Sequence, residues 1–456
     1  MEESGKQVKF EDNSVAFPEA APNTTSTKTV DEPPTQKPEH IRNTSLLKAT
    51  FNLTKSAIGL GAVFLPGNLQ RMGLLGGISM ILMGAFTSAI SLHLLSQMSH
   101  YLGVADYFEL GMHAYGPRMA MVDTIALILF QIGGLIAYCK FAGSYFSSAI
   151  QLFLNTATET VPWWRSYQFL SIILGCCFIF PLSLMKDMSK LGYTSIAGMT
   201  CIFYIAGLTV VDFIIEGRVP GADYTLLRIK SDFLSAFSSI LFAFVNQFTL
   251  VSLIPVLLNP SRLRRASLIS SSASIVTTVY LCMGISGYLH FGDQVARDIL
   301  SAPTKPSIAY GIARLLVSVV LVCSYPLQLD PTRSALDHLF GQFLSSAKRD
   351  VYFRTFYRRH VIWTLLLVLV PLLIAVTAAD YAEPILEVFS SACGALLVFV
   401  LPAAYFLKLS AKGTKMPVRF TEKILAYFIL IFGAVVCVGG TIGAIIDIVR
   451  RLRGQI

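Results

Sequence analysis

Charged side chains are scarce in this chain, making up 14 % of its 456 residues, against about 25 % in soluble domains. That shortage excludes a water-solvated globule. Recognisable catalytic motifs are also missing. The sequence holds no Gly-x-Ser-x-Gly and no His-x-x-Glu-His, and its seven histidines are scattered, so the residues argue against an enzyme. Asp123, Asp212, Asp330, Glu387 and Asp447 fall near the ends of apolar runs, where carboxylates are expected to be solvated. The eight cysteines, Cys139, Cys176, Cys177, Cys201, Cys282, Cys323, Cys393 and Cys437, all lie inside apolar runs, where thiols behave as small hydrophobes. No disulfide is expected. The adjacent pair Cys176 and Cys177 points to different sides of a helix, so no metal site and no cofactor is expected either.

What is present is apolar. Such residues make up 54 % of the chain, and runs of 18 or more recur from residue 46 onward. At about 1.5 Å per residue, each run can cross a hydrocarbon layer of about 30 Å. The chain therefore reads as an all-α polytopic membrane protein whose partner is the lipid bilayer. Polar breaks divide it into about eleven spans, at 46–68, 73–97, 119–150, 168–185, 191–215, 232–257, 265–290, 307–329, 360–378, 384–409 and 421–448.

Residues 1–45 differ. They are polar and rich in Pro, Thr and Glu, too poor in large apolar groups to bury a core. A disordered cytosolic tail is expected there, with the first span serving as targeting signal because the tail has no secretory apolar stretch. Most Lys and Arg residues then gather on the tail's side, in SRLRRAS (261–267), KRDVYFRTFYRR (348–359) and KLSAKGTKMPVRFTEK (408–423). This asymmetry puts the N-terminus inside. The net charge of +9 is explained by topology and anionic lipid head groups, so no nucleic acid is invoked. Sequons at Asn23 and Asn43 lie on the tail and one at Asn52 lies in a span, so none is expected to be glycosylated.

Two spans are interrupted. The first reads FNLTKSAIGLGAVFLPGNL over 51–69, with Gly59-Leu60-Gly61 near its middle and Pro66 beyond. Glycine eases departure from helical geometry and lets a ligand approach the backbone. In secondary transporters the half-helix N-terminus faces an anionic group and the other half offers carbonyls to a cation. The alternative is that Gly-x-Gly only permits close helix packing, and spacing leaves both readings open. The sixth span carries Asn246 and Gln247 between Phe244 and Phe248. Those amides line a cavity or bond to a neighbouring helix. Spans one and six are five apart, the offset of corresponding elements in two inverted five-helix repeats.

Three basic residues, Lys55, Lys140 and Arg314, sit within spans. A lysine as deep as Lys55 costs roughly 2.5 to 3.5 kcal/mol even on a lenient insertion scale. It is either a functional cation or a sign that the span boundary lies elsewhere. For Lys140 and Arg314 a structural role is expected, at the interface or paired with acids.

Taken together, FNLTKSAIGLGAVFLP, YFELGMHAYGPR (107–118), PLSLMKDMSKLGYTS (181–195), FAFVNQFTLVSLIPVLLNPSRLRRAS, YLCMGISGYLHFGDQV and SYPLQLDPTRSALDHLF (324–340) resemble the amino acid/auxin permease family. The likeness is to its sodium-coupled neutral amino acid transporters and their vacuolar relatives, and it covers residues 49 to about 440. It implies a LeuT-like fold: repeat one over 46–215, repeat two over 232–409, and an extra helix over 421–448, all within 46–450. It also implies alternating access and coupling of a free amino acid to sodium or protons. The substrate site it implies comprises Thr54, Ile58, Gly59, Leu60, Gly61, Tyr138, Ala243, Phe244 and Asn246. Ion coupling falls on Lys55 and Ser324. In sodium-coupled members the position of Lys55 is typically a sodium-ligating asparagine. An ammonium there occupies the cation's place, so a proton-coupled or sodium-independent transporter is expected. A sodium-coupled symporter and an amino acid sensor signalling through the tail remain the alternatives.

Overall fold

The computed structural model describes residues 44–154, 162–185, 192–229, 233–296, 298–301, 307–343, 356–411 and 416–453. The tail expected over 1–45 thus falls outside the described residues except for its last two positions, as do 186–191, 348–355 and 412–415 of the quoted junctions. Those two tail positions belong to the ordered fold. Thr44 donates its N–H to the Val256 carbonyl at 3.1 Å and accepts from the Leu258 N–H at 3.0 Å, while the Ser45 hydroxyl accepts from Lys48 N and caps α1 (Leu46–Ala57).

Among the described residues, nine helices are long and apolar enough to span a bilayer. Another expected span is shorter, Tyr167–Ser183, with a π turn over Leu174–Ile179. The first is divided. After α1 the chain leaves helical geometry at Ile58 and Gly59, passes through a 3-10 segment, Leu60–Phe64, and enters α2 (Leu65–Met72). Pro66 sits in the first turn of α2, where its missing N–H costs nothing.

The remaining elements are α3 (Leu74–Leu102), α4 (Tyr107–Ala114), α5 (Pro117–Phe153), α6 (Tyr167–Ile173), α7 (Phe180–Ser183) and α8 (Gly192–Glu216). The second half holds α9 (Phe233–Ala243), α10 (Gln247–Leu253), α11 (Arg262–Phe291), α12 (Ile308–Phe343), α13 (Phe356–Thr377), α14 (Ala382–Phe389), α15 (Leu401–Ala411) and α16 (Phe420–Leu452). The chain is all-α and polytopic. Local chemistry sets the ends: Asp106 accepts from Glu109 N at 2.7 Å to start α4, Ser261 caps α11, and Gly103 closes α3 with φ of 67°, a left-handed conformation open to glycine.

Membrane helices associate where small residues let them approach. A Cβ on Gly133 would meet the Phe389 ring at 2.9 Å, and one on Gly287 would meet Pro66 at 2.7 Å. These contacts seat α5 against α14 and α2 against α11. In contrast, α16 leaves Phe420, Ile424, Tyr427, Ile431, Val435 and Val438 exposed, an apolar stripe at helical spacing that suits lipid.

Candidate functional site

The sixth span breaks as the first does. α9 ends at Ala243, residues 244–246 leave the helix, and α10 begins at Gln247. The two breaks meet. A Cβ on Gly61 would lie 2.8 Å from both Cα and Cβ of Ala243, so the backbone of one broken helix rests directly on the other. Gly59 faces open space instead, its nearest neighbour being the Tyr138 hydroxyl at 3.9 Å from an added Cβ.

Around this junction the structure gathers most of the residues the sequence pointed to. Ile58, Leu60, Gly61, Ala243 and Phe244 are buried at the breaks. Tyr138 reaches Gly59 from α5 and accepts a 3.5 Å hydrogen bond from Gln328 Nε2 of α12. Asn246 is buried: its side-chain amide approaches the Leu53 carbonyl at 3.5 Å, while its Oδ1 has no hydrogen-bond partner. A buried acceptor left open beside two unwound helices has the capacity to accept one further hydrogen bond. On the other strand of the junction, the opening amides of the 3-10 segment at Leu60 and Gly61 have no intrahelical acceptor.

Thr54 is committed elsewhere. Its hydroxyl donates to Ser272 of α11 at 3.1 Å, and Ser56 bonds Thr249 of α10 at 2.6 Å, so the polar stripe of α1 is engaged with its neighbours. Gln247 likewise accepts from Asn246 N at 2.9 Å and donates to Ser88 at 3.2 Å. Lys55 lies half-buried in the last turn of α1, where a cation is favoured by the carbonyl end of the helix dipole. Ser324 sits on α12 one helical turn before Gln328.

A small pocket opens beyond the breaks, on the face away from the N-terminus, walled by Phe64, Asn68, Arg71, Ser239, Phe242 and Glu387 among others. Phe64 lies three residues from Gly61 and Phe242 adjoins Ala243, so the cavity reaches both breaks. Across it Arg71 of α2 and Glu387 of α14 form a 2.8 Å ion pair, their side chains only 8 % and 9 % exposed. Asn68 donates to Ser239 at 3.0 Å. Ser390 and Ser391 bond back to the Glu387 carbonyl, and a π turn follows over Ser390–Gly394, as back-bonding hydroxyls tend to distort a helix.

Three acids expected to be solvated are buried. Glu387 is held by Arg71, Asp123 accepts from the Tyr405 hydroxyl at 2.5 Å and is 2 % exposed, and Asp447 is 4 % exposed. Their positions near span ends are covered by packing from other helices, which a linear reading does not register. Lys140 and Arg314 take structural partners as anticipated: Lys140 stands 3.5 Å from Glu383, and Arg314 Nε donates to the Leu300 carbonyl at 2.8 Å.

Sequence comparisons identify the family to which this junction belongs. A match to the family described as transmembrane amino acid transporter protein runs over residues 42–446. The chain belongs to that family. It is also 30 % identical over 307 residues to vacuolar amino acid transporter 7 of Saccharomyces cerevisiae, a match covering 65 % of this chain and 59 % of the yeast protein. The match thus spans less than two thirds of that relative's length.

The sequence reading missed several residues that surround the site. Arg71 and Gln328 were not singled out, and Glu387 read as a solvated acid. Tyr280 carried no signal in an apolar run, yet its buried hydroxyl reaches both breaks.

Proposed function

We propose that the chain is a secondary transporter that moves free amino acids across a membrane by alternating access, proton-coupled or sodium-independent, with Lys55 in place of a coupling sodium. The observation that carries this reading is the contact of Gly61 with Ala243 beside the unpartnered Asn246 Oδ1. A zwitterion matches such a junction. Its carboxylate suits the free amides after Gly59, and its ammonium suits Asn246 Oδ1 and the carbonyl ends of α1 and α9.

Breaks in spans one and six support two inverted five-helix repeats with α16 as the added helix. Family membership supports amino acids as the substrate class, and the yeast relative's name supports a vacuolar or lysosomal type of membrane. On the distal face, the Arg71–Glu387 pair bridges α2 and α14 over the vestibule and acts as its closure. On the N-terminal face, Thr44 straps the start of α1 to the segment after α10. We take that face as cytosolic, from the basic segments it gathers.

The test is uptake of labelled amino acids into liposomes holding the purified chain, under imposed sodium or pH gradients. Uptake driven by a pH gradient or indifferent to sodium is expected. Strict dependence on sodium would overturn the role given to Lys55, and absence of uptake of any amino acid would overturn transport itself.

A further inference from the structure

Tyr280 of α11 is fully buried, and its hydroxyl lies 2.8 Å from the Ala57 carbonyl and 2.6 Å from the Ala243 carbonyl. Ala57 is the last residue of α1, and Ala243 is the last residue of α9. The two oxygens are therefore the carbonyl ends of two half-helices, each carrying partial negative charge from its helix dipole. They converge on one point. A phenol has one proton to donate, so a single O–H serves two acceptors by turns.

Such a convergence of half-helix carbonyl ends is the arrangement that coordinates a monovalent cation in transporters with broken helices. Here a neutral hydroxyl stands at the point. Its ring is fixed by an edge contact with Phe244, centroids 5.1 Å apart, and Phe244 itself presses on Gly84 of α3. The oxygen is thus held by packing on the side away from the carbonyls. Gly61 rests on Ala243 at the same junction.

We propose that Tyr280 is a positioning residue: its hydroxyl ties the carbonyl ends of α1 and α9 together where a monovalent cation would otherwise bridge them. The inference deepens the transport reading and rests on it for the role of the breaks. It differs from the assignment to Lys55, which concerns a separate position in α1. Tyr280 makes the junction of the two breaks self-sufficient. The chain needs no sodium there, and the two half-helices keep their mutual geometry whether or not substrate is bound.

Three substitutions test this. Tyr280→Phe keeps the ring and removes the donor, leaving two buried carbonyls facing each other without a proton. Tyr280→Ser removes the ring and leaves room and a small hydroxyl for an ion, with Tyr280→Asn as a second such variant. The variants are purified as full chains, and their melting temperatures are compared in sodium, lithium and choline chloride. The ion alone is the probe. Uptake of a labelled amino acid mixture into liposomes is measured in the same salts.

Tyr280→Phe is expected to remain folded and to lose uptake rate about tenfold, with no response to sodium. Tyr280→Ser or Tyr280→Asn is expected to melt higher in sodium or lithium than in choline and to recover uptake when sodium is present, whereas the parent chain shows neither response. A Tyr280→Phe variant that transports at the parent rate would overturn the tie. Folded Tyr280→Ser and Tyr280→Asn variants that both ignore sodium would overturn the cation's place. A parent chain that takes up no amino acid sinks the transport reading alone, because the melting response to the ion still decides the role of Tyr280.

Discussion

A methyl group placed on Gly61 would stand 2.8 Å from both Cα and Cβ of Ala243. The first and sixth spans therefore touch through backbone at the point where both lose helical geometry, and no larger residue fits between them. Gly61→Ala forces the two apart at a cost of about 1–3 kcal/mol and is expected to abolish most uptake. Gly59→Ala is the contrast. Its added Cβ meets only the Tyr138 hydroxyl at 3.9 Å, so the fold should tolerate it, while the substrate approaching that backbone does not. The expected result is a raised KM with a melting temperature close to the parent's, and equal loss in both variants would contradict the distinction.

The Arg71–Glu387 pair gives a prediction of a different kind. Each side chain is buried beside the vestibule, and removing one partner strands the other charge at a cost of about 3–5 kcal/mol. Arg71→Ala and Glu387→Ala are expected to reduce both melting temperature and uptake. The exchange Arg71→Glu with Glu387→Arg restores the pair and should recover part of each. Glu387 Oε2 has no hydrogen-bond partner, so Glu387→Gln, which keeps shape and loses charge, should raise KM for cationic amino acids more than for neutral ones. Unchanged KM for both classes would exclude that oxygen from the path of the substrate.

How much of this was readable beforehand follows from which forces act locally. Glycine spacing, a backbone property, left a break and close helix packing both open in the first span, and the family resemblance pointed to the break. In the sixth span the amides Asn246 and Gln247 marked polar groups in an apolar run, while the break itself followed only from the family resemblance. Buried Glu387 and Asp123 were read as solvated, because cover comes from helices remote in sequence: Arg71 lies 316 residues from Glu387, and Tyr405 lies 282 from Asp123. Tyr280 was silent for a related reason. A tyrosine in an apolar helix is unremarkable until the carbonyls it meets, one on each broken helix, are placed beside it. Thr44, within the segment read as tail, pairs with a segment more than two hundred residues away, a contact no local pattern announces.

Asp298, in the turn before α12, supplies a pH prediction. It is 4 % exposed and accepts from Ser301 N at 2.8 Å. Burial pushes its carboxyl above the ordinary range, the Ser301 hydrogen bond opposes this, and Glu383 on α14 adds to it, with Lys140 and Tyr145 on α5 acting the other way. Arg314 of α12 also faces it. An acid whose folded value is raised holds its proton after the unfolded chain has lost it. Its contribution is therefore undiminished below about pH 4 and declines as pH rises above that value toward the folded one. Melting temperature in detergent should fall over that interval. Asp298→Asn, which cannot ionise, should flatten the slope, and an unchanged slope would assign the effect to other groups.

Lys55 supplies the prediction about the coupling ion. It lies in the last turn of α1, four residues before Gly59 and on the same half-helix as the Ala57 carbonyl. A tethered ammonium at the carbonyl end of a helix supplies the charge a sodium ion would bring, and unlike sodium it cannot leave with the substrate. Lys55→Asn removes that charge and leaves an amide oxygen able to ligate an ion, with Ser324 on α12 available as a further oxygen. The variant should lose sodium-independent uptake and gain stimulation by sodium or lithium, with little change in melting temperature in their presence. Lys55→Arg keeps the charge and should remain indifferent to sodium. If Lys55→Asn transports as the parent does in choline, the ammonium is not the coupling element. Proton loading must then rest on another group near the breaks.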